Sequence, residues 1–445
     1  MRKSRLVIVS VVATALVALP VAYALGARRA DSSQMDLALV NGVIQLVEQD
    51  YVHSVDPHDL TKDALKGMLN RLDPHSDYMD EQEFKESEAD ISGKFGGLGI
   101  EISEEHGVPK VISPIDGTPA AHAGLQPGDL IVGIDGASSQ GVDLTKVVRL
   151  LRGAPGTNVK LTIARGTETP FDVNITRAII QVATVKSQLE PNSIGYVRIT
   201  EFGGDTPRDF KQAVQNLKQD AGGNLKGLVL DLRNDPGGLL SAAVAVAGDF
   251  LDGGTVVTIK GRRGEDNHAF NASGEGDLIP KTPIVVLING ASASASEIVA
   301  GALQDRQRAK IMGTQSFGKG SVQTIIPLNG HGALRLTTAL YYTPGGRSIQ
   351  GQGIAPDIVV KAPKDQQVAG AILPRESTLN GAFRNPGPLL AKPKSEANPQ
   401  EGAPADSETY SAPIKTQVIG TPDDAQLRAA LDYFGKPPGG TAERG

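Results

Sequence analysis

The sequence predicts a multidomain α/β protein, and three observations carry that prediction. Between residues 194 and 312, short apolar runs rich in β-branched residues alternate with turns and helical-period segments, the pattern of strands paired in parallel. Residues 35–88 place apolar side chains at helical spacing. Residues 95–178 set a glycine-rich bend ahead of an alternating strand, a short helix and further strands. A chain of 445 residues has room for two to four such domains. A net charge of -6 argues against a nucleic-acid partner, and the absence of cysteine excludes disulfides, thiolate zinc sites and cysteine nucleophiles.

Taken in order, residues 1–30 read as a targeting segment. Arg2, Lys3 and Arg5 give a positive start, residues 6–19 an apolar core, and Ala22-Tyr23-Ala24 a small-residue cleavage pattern. Continued to Leu25, the run is also long enough to span a bilayer, so a cleaved signal and a retained inner-membrane tether are both open. Either way the rest of the chain is exported, to the periplasm or beyond.

Residues 31–94 form a helical region. Leu37, Leu39, Val40, Val43, Ile44 and Val47 make one stripe and Leu60, Ala64, Leu65, Met68 and Leu69 another, with Asp73-Pro74-His75-Ser76 as an interrupting turn. His75 reads as structural, since no second ligand or nucleophile stands near it in the chain.

In the next module, residues 95–178, Phe95-Gly96-Gly97-Leu98-Gly99-Ile100 can expose successive backbone amides to a carboxylate, and the strand behind it offers an edge to a peptide. Residues 119–131 read as a small-residue helix, turn and strand, residues 144–151 as an amphipathic helix, and residues 159–164 as the closing strand.

The core, residues 182–362, has strands at 194–199, 227–233 and 283–287 and helices at 210–217 and 239–250. Asn234-Asp235-Pro236-Gly237-Gly238 breaks the second strand before its helix and leaves amides free to receive an anion. The third strand ends in Asn289-Gly290 and delivers Ser292, Ser294 and Ser296 to a helix start. Ser294-Ala295-Ser296-Glu297 fits a capping box, yet a helix N-terminus also suits a serine nucleophile and its oxyanion donors. None of the seven histidines lies near these serines in sequence. Lys319, set between Gly318 and Gly320, is a candidate base if burial lowers its pKa. Ser316-Phe317-Gly318-Lys319 also matches S-x-x-K, but two glycines disfavour the helix that signature needs, and its companion motifs are missing.

The run Ser292 to Glu297, with Phe317-Gly318-Lys319-Gly320-Ser321-Val322-Gln323, resembles the carboxy-terminal processing peptidases, tail-specific serine proteases of the PDZ-containing S41 family. The resemblance implies a PDZ domain at 95–178, with Gly97, Leu98, Gly99 and Ile100 as peptide-binding positions, and a peptidase core of ClpP/crotonase-like layering. It makes Ser294 the nucleophile, Lys319 the base and Gln323, one helical turn on, the residue that orients Lys319. It draws oxyanion donors from Gly237 or Gly238 and from Ala295. Asp235 stands where the family often has Asn, which matters if its charge crowds the oxyanion.

The tail, residues 363–445, holds a Pro-, Ala- and Ser-rich stretch at 386–413 that reads as a disordered linker, then a helix at 423–434 that docks on the chain itself or serves a neighbouring subunit. The expectation is thus an exported serine endopeptidase that captures protein C-termini, with no metal or cofactor implied and with a homo-oligomer or an adaptor protein left open. The alternative is a non-catalytic PDZ scaffold or chaperone of the cell envelope.

Overall fold

The computed structural model describes residues 34–115, 117–368, 375–387 and 413–435. The targeting segment over 1–30 and nearly all of the 386–413 linker lie outside the described residues. The chain divides into two compact units, residues 1–72 and 73–445. Among the described residues no helix is long and apolar enough to cross a membrane.

The described part of the first unit is helical, as its periodicity requires. Helix α1 covers 34–50 and α2 covers Pro57–Asn70. Asp56 caps α2 by accepting the His58 amide at 2.8 Å, and Pro57 takes the first turn, where a missing N–H costs nothing. Most of the α1 stripe is exposed; Ile44 and Val47 are partly covered.

The second unit opens with a strand that helical periodicity did not predict, β1 (Asp77–Met79), followed by α3 (Glu81–Ser92). The partner of β1 lies some 250 residues on, Tyr78 opposite Leu334, so no local pattern reveals it. The PDZ-like module then runs β2 (Lys94–Gly97), β3 (Ile100–Glu105), β4 (Val108–Pro114), α4 (Pro119–His122), β5 (Leu130–Ile134), β6 (Ala137–Ser138), α5 (Leu144–Leu151), β7 (Asn158–Ala164), β8 (Phe171–Thr176) and β9 (Ala178–Gln181). Its sheet has the order β3-β4-β5-β7-β8, so the 159–164 strand does not close it; β8 adds one more hairpin. Val147 and Leu151 of α5 pack with Val111, Ile131, Leu161 and Ile163 as the module's core. Strand β3 ends the sheet with one edge unpaired by any described strand.

The core contains β10 (Val185–Glu190), β11 (Ile194–Ile199), α6 (Thr206–Asp220), β12 (Gly227–Asp231), α7 (Leu240–Gly248), β13 (Thr255–Gly261), β14 (His268–Asn271), β15 (Ile284–Ile288), α8 (Ala295–Asp305), β16 (Ala309–Gly313), β17 (Ser321–Pro327), β18 (Ala333–Tyr342), β19 (Ile358–Val359) and, in the tail, α9 (Ala425–Phe434). Strands β11, β12, β15, β16 and β19 pair in parallel in that order, with β10 antiparallel at one edge. Both faces are covered, so the strands read as unbroken apolar runs. Leu228 and Leu230 face α6, α7 and α8, whereas Val229, Val285 and Leu287 face Leu427 and Ala430 of α9. The tail helix therefore docks on the chain's own sheet. A second, antiparallel sheet of order β1-β18-β13-β14, with β17 on β18, flanks the first.

Docking of the tail is sealed by charge. The fully buried Arg233 guanidinium lies between Asp231 (Nε at 2.9 Å) and Asp424 (Nη2 at 2.6 Å), and also donates to Gln426 at 3.0 Å. Removing one partner would leave a buried charge uncompensated. Asp424→Ala is expected to lower stability by about 3–5 kcal/mol in denaturant titration. Glu81→Ala, at the exposed pair with Lys85, serves as the control and leaves the midpoint unchanged.

Candidate active site

In a parallel sheet, adjacent strands release their connections at the same end, where open α/β sheets hold ligands. Strands β12 and β15 are neighbours, so the turns after them meet. Asn289 stitches the two: its Oδ1 accepts the Asn234 amide at 3.0 Å and its Nδ2 donates to Asn234 Oδ1 at 2.7 Å.

The three serines of the second turn differ in what their hydroxyls do. Ser292 donates to Leu232 O at 2.7 Å and Ser296 donates to Asp235 O at 3.1 Å, and both are fully buried. Ser294 makes no side-chain cap bond, and its hydroxyl has the Tyr341 phenol as hydrogen-bonding neighbour. Its backbone sits at φ +54° and ψ -110°, a conformation that costs a non-glycine residue of order 1–3 kcal/mol. Strain at a strand-to-helix turn holds the side chain out from the backbone ahead of α8. Gly237 is packed against this point: a Cβ there would stand 2.8 Å from Ser294 Cβ and 2.7 Å from Ala293 O.

The lysine loop is joined to the serine turn through one side chain. Glu297, fully buried on the first turn of α8, accepts the Ser294 amide at 2.8 Å and the Lys319 amide at 2.9 Å on Oε2. Its Oε1 accepts the Ser316 hydroxyl and the Gly318 amide, both at 2.6 Å. The glutamate's bond of the capping box is thus in place, and its reach extends well beyond the cap. Burial pushes the Glu297 carboxyl up to about 7 against these four donors. Four donors and no acceptor are the surroundings of a carboxylate. Ser316 is therefore committed to Glu297, and residues 315–320 form no helix, with Gly318 at φ +97°.

Burial pulls the Lys319 amine below its ordinary value; Glu376 opposes the shift, Arg335 assists it, and Glu297 and Asp73 oppose it. Gln323 is not one helical turn from Lys319, since it stands on strand β17, where helical spacing has no meaning. Its Nε2 donates to Ser321 Oγ at 3.0 Å and to Thr337 Oγ1 at 3.2 Å.

Of the three expected oxyanion residues, Gly237 has its amide committed to Asp235 Oδ1 at 2.8 Å. The amides of Gly238 and Ala295 donate to no described group. Burial pushes the Asp235 carboxyl well above the ordinary aspartate range, which favours the neutral acid over the charged form. In the PDZ-like module, Gly97, Leu98, Gly99 and Ile100 all line a groove of about 130 Å³, walled by Val148 and Leu151 of α5.

Three groups near the site escaped sequence reasoning. Tyr341 reaches Ser294 from β18. Glu376 comes from beyond the core and meets His75 Nε2 at 2.8 Å, so His75 does have a partner, 301 residues away. Asp73, in the turn before β1, accepts the Thr337 hydroxyl at 3.0 Å. Only the fold brings these together, and no spacing in the chain signals it. If Glu297 joins the two loops, Glu297→Gln turns an amide NH₂ toward incoming donors. It should lower stability by about 2–3 kcal/mol in denaturant titration and reduce turnover of an unstructured protein substrate.

Comparison with known proteins agrees with this architecture. The model described as peptidase family S41 matches residues 193–360, a PDZ domain model matches 110–165, and the model of the activating protease CtpB N-terminal domain matches 22–83. A carboxy-terminal-processing protease of Bartonella bacilliformis is 50% identical over 351 residues, 78% of this chain and 80% of the relative. A probable CtpA-like serine protease of Staphylococcus aureus is 37% identical over 350 residues, 78% of this chain and 69% of its own length. Among solved structures, a photosystem II D1 C-terminal processing protease is 30% identical, covering 73% of this chain and 92% of that one with a TM-score of 0.44. The chain belongs to peptidase family S41, among the carboxy-terminal-processing proteases, and carries a PDZ domain ahead of its peptidase core.

Proposed function

We propose that the chain is an exported serine endopeptidase working by a Ser294–Lys319 pair and capturing substrates by their C-termini in the PDZ groove. The observation that carries this reading is that the backbone amides of Ser294 and Lys319 donate to the same oxygen of Glu297, which fixes nucleophile and base to one group. Lys319, whose pKa burial lowers toward the neutral form, takes the Ser294 proton as Oγ attacks the substrate carbonyl carbon. Gly238 and Ala295 offer their amides to the oxyanion, and Gln323 positions Lys319. The lysine ammonium then gives its proton to the leaving amine, and water hydrolyses the acyl ester. The name of the Staphylococcus aureus relative, a serine protease, supports the chemistry, and that of the Bartonella relative supports action at C-termini. The positive and apolar start of the sequence supports export.

Capture uses the glycine bend at Gly97 and Gly99 for the terminal carboxylate and the free edge of β3 for the peptide backbone. Amidating the C-terminus of a peptide substrate should raise KM about tenfold and leave kcat within twofold; an unchanged KM would remove the PDZ domain from substrate capture.

Ser294→Ala and Lys319→Ala should each lower turnover of an unstructured substrate by at least ~10³-fold. Equal turnover by wild type and Ser294→Ala would leave only a peptide-binding scaffold. The pH dependence follows from the sign of the Lys319 shift. Burial lowers the pKa, the working form is the neutral amine, and its fraction grows as pH rises through the depressed value. Rate should therefore climb with pH and level off below the ordinary lysine range; a profile flat from acid to alkaline pH would rule out lysine as the base.

A further inference from the structure

A glutamine beside a catalytic amine can stand either way round, and the two orientations have opposite effects. Its carbonyl oxygen accepts an amine N–H and leaves the nitrogen lone pair free for the serine proton. Its NH₂ group would compete with that proton for the lone pair. The hydrogen bonds behind Gln323 decide the orientation.

They begin at Asp73, which is 2% exposed and receives donors only. Its Oδ1 accepts the His75 amide at 2.8 Å, the Ser76 amide at 2.9 Å and the Thr337 hydroxyl at 3.0 Å, and its Oδ2 accepts the Ser76 hydroxyl at 2.6 Å. Burial alone would raise this carboxyl, but the Ser76, His75 and Thr337 donors outweigh it and hold it below the ordinary aspartate value, as an ionised acceptor. Thr337 has a single hydroxyl hydrogen, and Asp73 takes it. The oxygen of that hydroxyl can then only accept from Gln323, which donates to it through Nε2 at 3.2 Å. The second Gln323 N–H goes to Ser321 Oγ at 3.0 Å. Both amide hydrogens are used, so of the Gln323 amide only the carbonyl oxygen remains to meet a donor.

We propose that Asp73 is a positioning residue for the Ser294–Lys319 pair, acting through Thr337 to fix Gln323 with its carbonyl oxygen presented to the Lys319 amine. This rests on the catalytic reading given above. It assigns a role to the Leu72-Asp73-Pro74-His75-Ser76 turn, which lies outside the stretch of the chain, 193–360, that matches the peptidase model. The chain of polarity runs carboxylate, hydroxyl, amide, amine, and each link admits one direction once the carboxylate is ionised.

Thr337→Val is the cleanest variant, because it removes the hydroxyl and leaves Asp73, Glu297, Glu376 and Arg335, the charged groups that act on Lys319, in place. On this proposal the Gln323 carbonyl favours the lysine ammonium during turnover, so without an acceptor fixed toward it the pKa falls further. The expected result is a kcat about 10–100-fold lower with KM within twofold, and an acid limb of the kcat/KM profile moved to lower pH. Thr337→Ser restores wild-type values. Asp73→Asn, whose amide can donate to Thr337 and reverse the chain, reproduces the kcat loss; should it fail to fold, the Thr337 pair still decides. A Thr337→Val enzyme with wild-type kcat and pH limb would overturn the relay, as would a kcat loss with an unmoved limb, which a purely structural defect gives. Ser294→Ala and Lys319→Ala are run alongside. If they retain turnover the catalytic reading fails, whereas if they are inactive and Thr337→Val is normal, only the relay fails.

Discussion

One carboxylate holds the candidate active site together. Glu297 meets the Ser294 amide locally, as a helix-capping glutamate does, and meets Ser316, Gly318 and Lys319 across the fold. A buried charge is tolerated when donors replace its lost water, and here three of the four donors belong to the loop that carries the lysine. The same desolvation that makes the charge costly to bury makes its hydrogen bonds strong. Displacement of the lysine loop therefore has to break bonds to the group that also fixes the serine turn. Ser294 and Lys319 are coupled through their backbone amides, so the coupling does not use their side chains.

The sheet supplies the place where this coupling can occur. Parallel order puts the ends of β12 and β15 side by side, and Asn234 and Asn289 bind the two turns that leave them. Beneath them, Arg233 anchors the end of the β12 segment to Asp231 and, through Asp424, to the tail. Asn234 Nδ2 donates to Ile414 O at 2.6 Å, so the tail touches the turn that presents Gly238 as well as the sheet behind it. A segment that composition places beyond a linker is, in the folded chain, bonded to the turn that carries Gly237 and Gly238.

What could be read in the sequence follows from the range of the interactions. The strands at β11, β12 and β15, the helix α5 and the tail helix announce themselves by local periodicity, and the serine and lysine motifs by their wording. Strand β1 did not, because it is a three-residue edge whose partner is β18. Gln323 was assigned helical spacing from Lys319, and the pairing of β17 with β18 overrode that reading. His75 looked isolated because Glu376 is 301 residues distant. The choice among Ser292, Ser294 and Ser296 could not be made from their alternation, yet it becomes physical once two of the hydroxyls are seen donating to backbone carbonyls.

A lysine with three carboxylates in its surroundings would ordinarily be charged, so the lowering of its pKa needs a reason. Among the described residues Lys319 forms no ion pair within 4 Å. Each acid that could pair with it is already occupied: Glu297 by four donors, Glu376 by His75 at 2.8 Å and Gln350 at 2.8 Å, and Asp73 by Ser76, His75 and Thr337. A carboxylate already held by other donors offers an ammonium a field that does not fully offset the loss of water from a buried cation. Arg335 adds repulsion from the same side of the balance. Burial lowers the pKa of the amine, and the nearby acids, already held by other donors, oppose that shift only in part.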